Sequence, residues 1–194
     1  MRYWWVNQNQ TYRQEIEGGY LWSPKRNANG ARNPFYEFMR EVAPGDLVFS
    51  FVDTRVVAIG TVTSYCYESP KPTEFGGVGL NWEAIGWRVR VNFVSLLNKI
   101  RHKNHIDVLR RVLPSRYSPL QDSGNGIQSV YLTEVPKLLA ELLGRLFLAP
   151  VDLPVVDHDI MFIRAAIDLD GAEGEIVKLH RASLEIAARR SFSK

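Results

Sequence analysis

Aromatic side chains and small polar side chains recur together in segments that otherwise have the composition of loops and strand ends. A flat, extruded nucleobase is held by aromatic faces above and below it and by amide, hydroxyl or carboxylate groups in its plane. Since large aromatics in polar loops cannot all belong to the core, we interpret the set as a pocket for such a base. The candidate lining residues are Trp22, Ser23, Asn33, Tyr36, Ser50, Phe51, Asp53 and Trp82.

Two roles are expected within this set. Trp22, together with Phe51 or Trp82, would supply the stacking faces, and each face contributes about 1–3 kcal/mol of base stacking. The groups expected to read the base edge are Asn33, Ser50 and Asp53. For any one aromatic taken alone, packing under a loop is the better interpretation, so the prediction concerns the set as a whole.

Charge is distributed unevenly along the 194-residue chain, whose net charge is +3. Residues 1–120 contain 16 Lys and Arg against 10 Asp and Glu, a balance of +6, and all five Trp; residues 121–194 have a balance of −3. A basic, aromatic-rich segment is typical of nucleic-acid binders. Arginines that merely solvate strand faces would give the same modest excess, so the charge leaves both interpretations open.

Other chemistries have weaker support. His102 and His105 have the spacing of some zinc-ligand pairs, but they lie in a Lys- and Arg-rich turn with only Asp107 nearby, so we expect solvated side chains. The single cysteine, Cys66, excludes an internal disulfide and is interpreted as a small buried hydrophobe. Nucleophile motifs and nucleotide-binding glycine motifs are absent from the sequence, so neither catalytic residues, nor a metal, nor a cofactor is predicted.

The elements that must position these residues follow from hydrophobic patterning. Four apolar segments are typical of strands: RYWWVNQN, LVFSFV, VVAIGTVTSYCY and GWRVRVNFV. In the last one, apolar residues alternate with Arg88, Arg90 and Asn92, which predicts one packed face and one basic, wet face. Long polar segments separate the strands and are interpreted as loops of functional length: YLWSPKRNANGARNP, SPKPTEFGGVGLNW and SPLQDSGNGIQSVYLTEV. The last of these is expected to lead to a short strand.

Short helices are predicted beside the strands. Asn33 and Pro34 fit the N-cap and the first position of a helix over PFYEFMREV, and Asn33 is expected to face the pocket as well. HIDVLRRVL fits a second short helix, and TEVPKLLAELLGRLF fits an amphipathic helix with Thr133 as its cap. A strand-rich middle with few short helices predicts an α+β fold built on a small, curved, mostly antiparallel sheet or barrel.

The composition changes near residue 150. Pro150 and Pro154 mark a linker, and EGEIVKLHRASLEIAARR is typical of an amphipathic helix. We therefore expect one domain over residues 1–148 and a linker with a helical extension over residues 149–194. No apolar run is long enough for a bilayer span and MRYWWVNQNQ lacks a signal-peptide pattern, so a cytoplasmic location and no membrane partner are expected.

The order of these segments resembles the EVE branch of PUA-like domains. The resemblance is carried by MRYWWV, YLWS, ARNPFYEFMREVAPGDLVFSFVD, AIGTVTSYCY and GWRVRVNFV. More narrowly, YWWVNQNQTYR, GGYLWSPKRNANGARNPFY, FSFVDTR, SYCYESPKP and YSPLQDSGNGIQSVYLTE are similar to the N-terminal domain of PUA-like/HNH restriction endonucleases. The resemblance implies a PUA-like pseudobarrel that senses 5-methylcytosine or 5-hydroxymethylcytosine in double-stranded DNA, by flipping the base into an aromatic cage lined by Trp22 and the FSF strand end.

We further expect a surface beside the pocket that grips phosphates, and the candidates are Lys25, Arg26, Arg32, Arg55 and Asn125. In such endonucleases the HNH domain cuts. Residues after 150 contain no matching His-bearing motif and no Cys pairs, so we expect this chain to read a base and not to cut. It would be a fragment of a nuclease or a truncated reader, with the last helix as a linker to a nuclease domain or as a dimerisation element.

Three alternatives remain open at this point. PUA-like folds also bind modified RNA, so the chain is also consistent with an RNA reader. A small-molecule or protein-interaction module would need no basic surface, and the basic first part of the chain argues mildly against it. An enzyme with an unrecognised active site is the third alternative.

Overall fold

The computed structural model describes residues 1–148, with the side chains of residues 97, 98 and 148 left out. The strands are β1 (Tyr3–Asn7), β2 (Tyr20–Pro24), β3 (Leu47–Val52), β4 (Arg55–Val62), β5 (Tyr67–Pro70), β6 (Ile85–Ile100) and β7 (Leu132–Glu134). The helices are α1 (Tyr12–Gly18), α2 (Pro34–Glu37), α3 (Ile106–Leu109) and α4 (Lys137–Leu148), and short 3-10 helices cover Phe38–Arg40, Thr73–Phe75 and His102–His105. The linker with Pro150 and Pro154 and the helix expected after it lie outside the described residues.

The seven strands of residues 1–148 form one sheet in the order β2-β6-β4-β3-β1-β7, and β5 adds to β6. β1 and β3 are parallel, with Trp5 opposite Phe49, and the other pairs are antiparallel. The long strand β6 pairs with β2 and β5 through its first half and with β4 through its second half, which curls the sheet into a half-barrel. The predicted α+β fold with a curved, mostly antiparallel sheet is confirmed.

Both faces of the central strands are covered, which explains why β1 and β3 are continuous apolar runs. The neighbours Trp4 and Trp5 point to opposite faces of β1, and both side chains are fully buried. Trp5 and Phe49 belong to the cluster that packs under the leucine face of α4, whereas Trp4 belongs to the cluster around Met39. Among the helices of residues 1–148, none is both long and apolar enough to cross a membrane.

The short helix predicted after Asn33 is confirmed as α2 and the 3-10 helix that follows it. The Phe35 amide donates to Asn33 Oδ1 at 2.9 Å, and Pro34 occupies the first helical position. The chain then turns at Gly45, whose φ of 91° is a conformation that favours glycine, and enters β3. The predicted turn and strand are both present, and the strand lies in the middle of the sheet, between β4 and β1.

Two elements between Asn7 and Asn33 differ from the expectation. The segment predicted as a loop from Tyr20 begins with β2, whose five residues are all buried because the strand is covered on both faces. Helix α1 was not predicted, because its seven residues carry too little apolar periodicity to indicate a helix. It ends at Gly18, and the next residue, Gly19, forms a left-handed C-cap with a φ of 67°.

Thr133 was expected to cap the last helix, and this is wrong. Thr133 lies in β7, where its hydroxyl donates to the Tyr117 carbonyl at 2.7 Å. Helix α4 begins at Lys137, directly after Pro136, which needs no N–H partner at a helix start. The segment VVAIGTVTSYCY is also interrupted, since β4 ends at Val62 and the next strand begins at Tyr67.

Candidate nucleic-acid interface

A cavity of about 640 Å³ lies where the ends of β1 and β2 meet the β3–β4 turn. Its other walls are Tyr36 of α2, Trp82 from the loop before β6, and residues 126–131 before β7. Because β1 and β3 are parallel, their carboxyl ends lie at the same edge, and Asn7 is the register partner of Phe51. The volume falls within the range of about 300–1,000 Å³ that is usual for ligand sites.

The structure brings together five of the eight candidate pocket residues. Those that line the cavity are Trp22, Tyr36, Phe51, Asp53 and Trp82. They come from five separate elements or loops, so the sheet topology assembles them. Ser23, Asn33 and Ser50 do not line it.

Trp22 and Trp82 form one aromatic wall. Their rings are stacked with centroids 6.1 Å apart and planes at 27°, and Phe75 packs edge-on against both. Trp22 is only 1% exposed and its indole N–H donates to the Ser69 carbonyl, whereas Trp82 is half-buried. Two rings at this separation already contact each other, so in this arrangement a base cannot lie between them as a sandwich.

Phe51 is the other candidate stacking residue that lines the cavity. It is only 4% exposed, and its ring packs against Trp5 and His102 with centroids 5.1 Å away in each case. Tyr36 contacts Tyr131 edge to face at 6.2 Å, and both residues also line the cavity. The aromatic walls are thus supported from behind by other rings.

Asp53 is held at the cavity by a strained turn. Asp53 and Thr54 have φ values of 47° and 64°, which is the pattern of a two-residue hairpin turn between paired Val52 and Arg55. A positive φ is unusual for a β-branched residue such as Thr54. The Asp53 amide donates to Asn9 Oδ1 at 3.1 Å, which fixes the turn to the segment after β1. The exposed Asp53 carboxylate is therefore an available hydrogen-bond acceptor in the cavity wall.

Ser50 was expected to read the base edge, but it is fully buried in a polar network behind the cavity. Its hydroxyl donates to Gln8 Oε1 at 2.5 Å, and the Gln8 amide donates to Glu15 Oε2 at 2.5 Å. The other Glu15 oxygen accepts from the Tyr131 hydroxyl at 2.7 Å and from the Trp22 amide at 2.9 Å. Burial raises the pKa of Glu15 to about 7, although these donors oppose the shift.

Ser23 and Asn33 are also placed outside the cavity. Neighbouring residues of a strand point to opposite faces, so Ser23 points away from the side on which Trp22 lies, and it is fully buried. Both polar atoms of the Asn33 amide are occupied: Oδ1 caps α2, and Nδ2 donates to Asn27 Oδ1 at 3.1 Å. The expectation that Asn33 faces the pocket as well as capping the helix is therefore not met.

None of the candidate phosphate contacts lines the cavity. Arg26, Arg32, Arg55 and Asn125 are exposed. Arg55 follows the Asp53–Thr54 turn, and Asn125 precedes Gly126, which lines the cavity. Lys25 is already engaged, since its ammonium pairs with Glu68 at 2.5 Å and lies 4.6 Å from the centroid of the Trp87 ring.

Sequence reasoning missed Asn7, Asn9 and Tyr131, which also line the cavity. Asn7 accepts from the Trp5 indole N–H at 2.9 Å and donates to the Val130 carbonyl at 3.0 Å, so it joins β1 to the segment before β7. The amides of NQNQ at the end of the first strand were a signal for Asn7 and Asn9. Their relation to Phe51 depends on the parallel pairing of β1 with β3, which patterning does not indicate.

His102 and His105 were both expected to have solvated side chains, and the surroundings of His102 differ from this expectation. His102 is not solvated: it is fully buried, and its ring nitrogens contact the carbonyl oxygens of Thr54, at 3.1 Å, and Gly124. Burial lowers its pKa and raises that of the half-buried Cys66 to about 11. Within residues 1–148, no three His, Cys, Asp or Glu residues are grouped closely enough to hold a metal ion.

No protein-family model matches the sequence, and no curated protein matches it. Solved structures do share its fold. A hypothetical protein from Leishmania major matches with a TM-score of 0.53 at 12% identity, over 76% of this chain and 94% of that one. Human THYN1, solved in complex with 5-methylcytosine-containing DNA, matches with a TM-score of 0.50 at 12% identity, over 77% and 99% of the two chains.

The YTH domain of the Zygosaccharomyces rouxii MRB1 protein, solved with N6-methyladenosine RNA, matches with a TM-score of 0.49 at 12% identity, over 75% and 86% of the two chains. At these identities the likeness concerns the fold alone. The predicted PUA-like fold is confirmed, as a fold alone.

Proposed function

We propose that the chain reads modified cytosine in DNA by holding one extruded 5-methylcytosine or 5-hydroxymethylcytosine base in the cavity beside Trp82, Phe51 and Asp53. The observation that carries the proposal is a cavity large enough for a base, with supported aromatic walls, an exposed carboxylate at Asp53 and the exposed Arg55 directly after the Asp53–Thr54 turn. The solved complex of human THYN1 with 5-methylcytosine-containing DNA supports it, because that protein has the same fold.

The chemistry of the cavity fits a cytosine ring. An aromatic face contributes about 1–3 kcal/mol of stacking per base, and half-buried Trp82 presents such a face with Trp22 stacked behind it. A carboxylate accepts hydrogen bonds from the exocyclic amine of cytosine, which gives Asp53 a role in base recognition. A base inside a duplex cannot reach these groups, so the base must leave the stack.

Discrimination between cytosine and its modified forms depends on one small substituent. A single methyl or methylene group in an apolar pocket changes binding by about 1–3 kcal/mol, which is roughly 5- to 200-fold in affinity. We therefore expect the preference for the modified base to be moderate. Most of the total affinity would come from phosphate contacts by Arg26, Arg32 and Arg55, which are exposed beside the cavity.

We further propose that reading and cutting are separate, with this domain as the sensing part of a modification-dependent restriction system. The resemblance of GGYLWSPKRNANGARNPFY and its neighbouring segments to PUA-like/HNH endonucleases supports this. A nuclease domain elsewhere, or a second copy bound through the C-terminal helix, remains a prediction. A gel assay for cleavage of methylated DNA by this chain with Mg²⁺ tests the separation, and cleavage would contradict it.

The function is tested by competition between matched DNA and RNA oligonucleotides, with and without the modified base. The wild-type protein should prefer modified DNA, and Trp82→Ala should lower that preference more than it lowers binding of unmodified DNA. Tyr65→Ala is the control, because Tyr65 is a 71% exposed aromatic that does not line the cavity.

Three results would contradict the proposal in different ways. Tighter binding of modified RNA would make the chain an RNA reader. If Trp82→Ala lost binding to modified and unmodified DNA equally, the cavity would not be the site that recognises the modification. Failure to bind any oligonucleotide at low salt would favour a small-molecule or protein-interaction module.

A further inference from the structure

Leu80 lies at the tip of a turn beside the cavity. Its side chain is 78% exposed, the highest value among the large hydrophobic residues that the structure describes. The Trp82 amide donates to the Gly79 carbonyl at 2.9 Å, which closes a four-residue turn with Leu80 and Asn81 at its centre. Single exposed leucines are common on protein surfaces, so the exposure gains meaning only from where this residue is held.

The turn is anchored to the cavity wall. The Trp82 ring lies so close over Gly79 that a Cβ at Gly79 would be 2.2 Å from it, and the φ of Gly79 is +65°. The Lys71 ammonium donates to the Gly79 carbonyl at 3.1 Å. Trp82 in turn stacks on buried Trp22. Leu80 is therefore presented on a fixed support, and inserting it into a partner would cost little ordering entropy.

The turn is also joined to the basic loop that follows β2. Glu83, the residue after Trp82, accepts hydrogen bonds from the amides of Lys25 and Arg26 at 2.9 and 3.1 Å. Exposed Arg26 and Arg32 belong to that loop and are linked by a backbone bridge. An apolar tip, a cavity wall and a cationic loop are thus held as one connected unit.

We propose that Leu80 is a wedge that enters the base stack of a duplex next to the base that moves into the cavity. Apolar side chains inserted between base steps offset the loss of stacking, which costs a few kcal/mol. Leu80 lies only two residues from Trp82 of the cavity wall, so its backbone is within about 7 Å of that wall and its exposed side chain is close enough to reach a base step beside the cavity. An apolar patch for docking a protein would need several such residues together.

The wedge rests on the proposed function and narrows the partner to double-stranded nucleic acid. A single strand has no opposing strand to separate from, so a wedge adds nothing to its binding. A duplex with a mismatch opposite the modified base is already partly opened, so it needs the wedge less. The contribution of Leu80 to binding affinity should therefore be larger for DNA in which extruding the base costs more free energy.

The test measures the affinities of wild type, Leu80→Ala and Leu80→Met for three probes that carry one 5-methylcytosine: a matched duplex, a duplex mismatched at that base, and the single strand. Leu80→Ala should lose roughly tenfold on the matched duplex, less on the mismatched duplex and nothing on the single strand. Leu80→Met keeps an apolar side chain of similar size and should retain duplex binding. The site is exposed, so both variants should fold.

Equal effects of Leu80→Ala on all three probes, or no effect on any, would overturn the wedge. If wild type still preferred 5-methylcytosine over cytosine in that case, the proposed function would stand. A wild-type protein that shows no such preference on any probe would instead overturn the proposed function and the wedge together.

Discussion

The buried carboxyl of Glu15 joins three segments that line or support the cavity. It accepts hydrogen bonds from Gln8 after β1, from the Trp22 amide in β2 and from the Tyr131 hydroxyl before β7. Within residues 1–148 no salt bridge compensates its charge. Tyr20 is a further titratable group that interacts electrostatically with Glu15. Ionisation of Glu15 is therefore costly even though its oxygens are well hydrogen-bonded.

The stability of the domain should depend on pH through Glu15. Its pKa is raised from 4.5 to about 7 on folding, so the folded state binds this proton more tightly than the unfolded state. The resulting stabilisation is complete below about pH 4.5 and is lost as the pH rises through about 7. Urea unfolding between pH 5 and 8 should show a steeper decline for wild type than for Glu15→Gln, which cannot ionise. His102 and His105, whose pKa values burial lowers, contribute to both proteins alike, so parallel curves would contradict the role of Glu15.

Trp22 supports the cavity from inside the core. Trp22→Ala should cost about 3–5 kcal/mol of stability, because it empties a site that is only 1% exposed. Trp82→Ala should cost less, since Trp82 is half-buried. Protein that remains folded after Trp22→Ala should lose its preference for modified DNA, because Trp82 loses the ring behind it. Urea denaturation checks the stabilities, and an equal cost for the two variants would be inconsistent with this arrangement.

Among the elements, helix α2 shows how a local signal was interpreted correctly in one role and incorrectly in another. Asn33 before Pro34 predicts an N-cap, and the cap forms as expected. The same amide was also expected in the pocket, but Asn33 does not line the cavity, and its Oδ1 and Nδ2 are bonded to Phe35 and Asn27 instead. Sequence signals of this kind identify local structure better than they identify which cavity a side chain faces.

The cap gives a prediction that separates stability from recognition. Asn33→Ala should cost about 1 kcal/mol, whereas Asn33→Asp should cost less, because aspartate keeps the N-cap and loses only the hydrogen bond that Asn33 donates to Asn27. Neither variant should change the ratio of affinities for modified and unmodified DNA. Thermal unfolding and DNA titration measure the two effects. A stable Asn33→Asp protein without base preference would show that Asn33 reads the base after all.

The pairing of strands across the whole sheet determines which residues line the cavity. This pairing could be predicted only in part from the sequence. Alternation within β6 and the apolar runs of β3 and β4 indicate strands directly, and so the curved sheet could be predicted. The parallel pairing of β1 with β3 brings Asn7 beside Phe51, but it depends on contacts between distant segments. Ser50 was misplaced for the same reason, since only the fold shows that it faces the buried Gln8.

The charge distribution over the molecule predicts how binding responds to salt. Binding weakens as salt rises, so log affinity has a negative slope against log salt. Each lost phosphate contact should reduce the magnitude of that slope by about 1. Arg26→Ala, Arg32→Ala and Arg55→Ala should each do so, and should weaken binding of modified and unmodified DNA equally. Lys25→Ala should also weaken both equally but have a smaller effect on the slope, because Lys25 is paired with Glu68. Arg110→Ala is a matched control, since Arg110 pairs with Asp107 and does not border the cavity. If none of the three arginine variants changed the salt slope, that result would contradict their assignment as phosphate contacts.

The most direct test is an equilibrium titration of the wild-type protein against duplexes that are identical except for the substituent on C5 of one cytosine. The cavity account predicts that a methyl or hydroxymethyl group lowers Kd by roughly tenfold relative to hydrogen. Equal Kd values for all three duplexes, at a salt concentration where binding is measurable, would contradict the claim that the cavity reads a modified base.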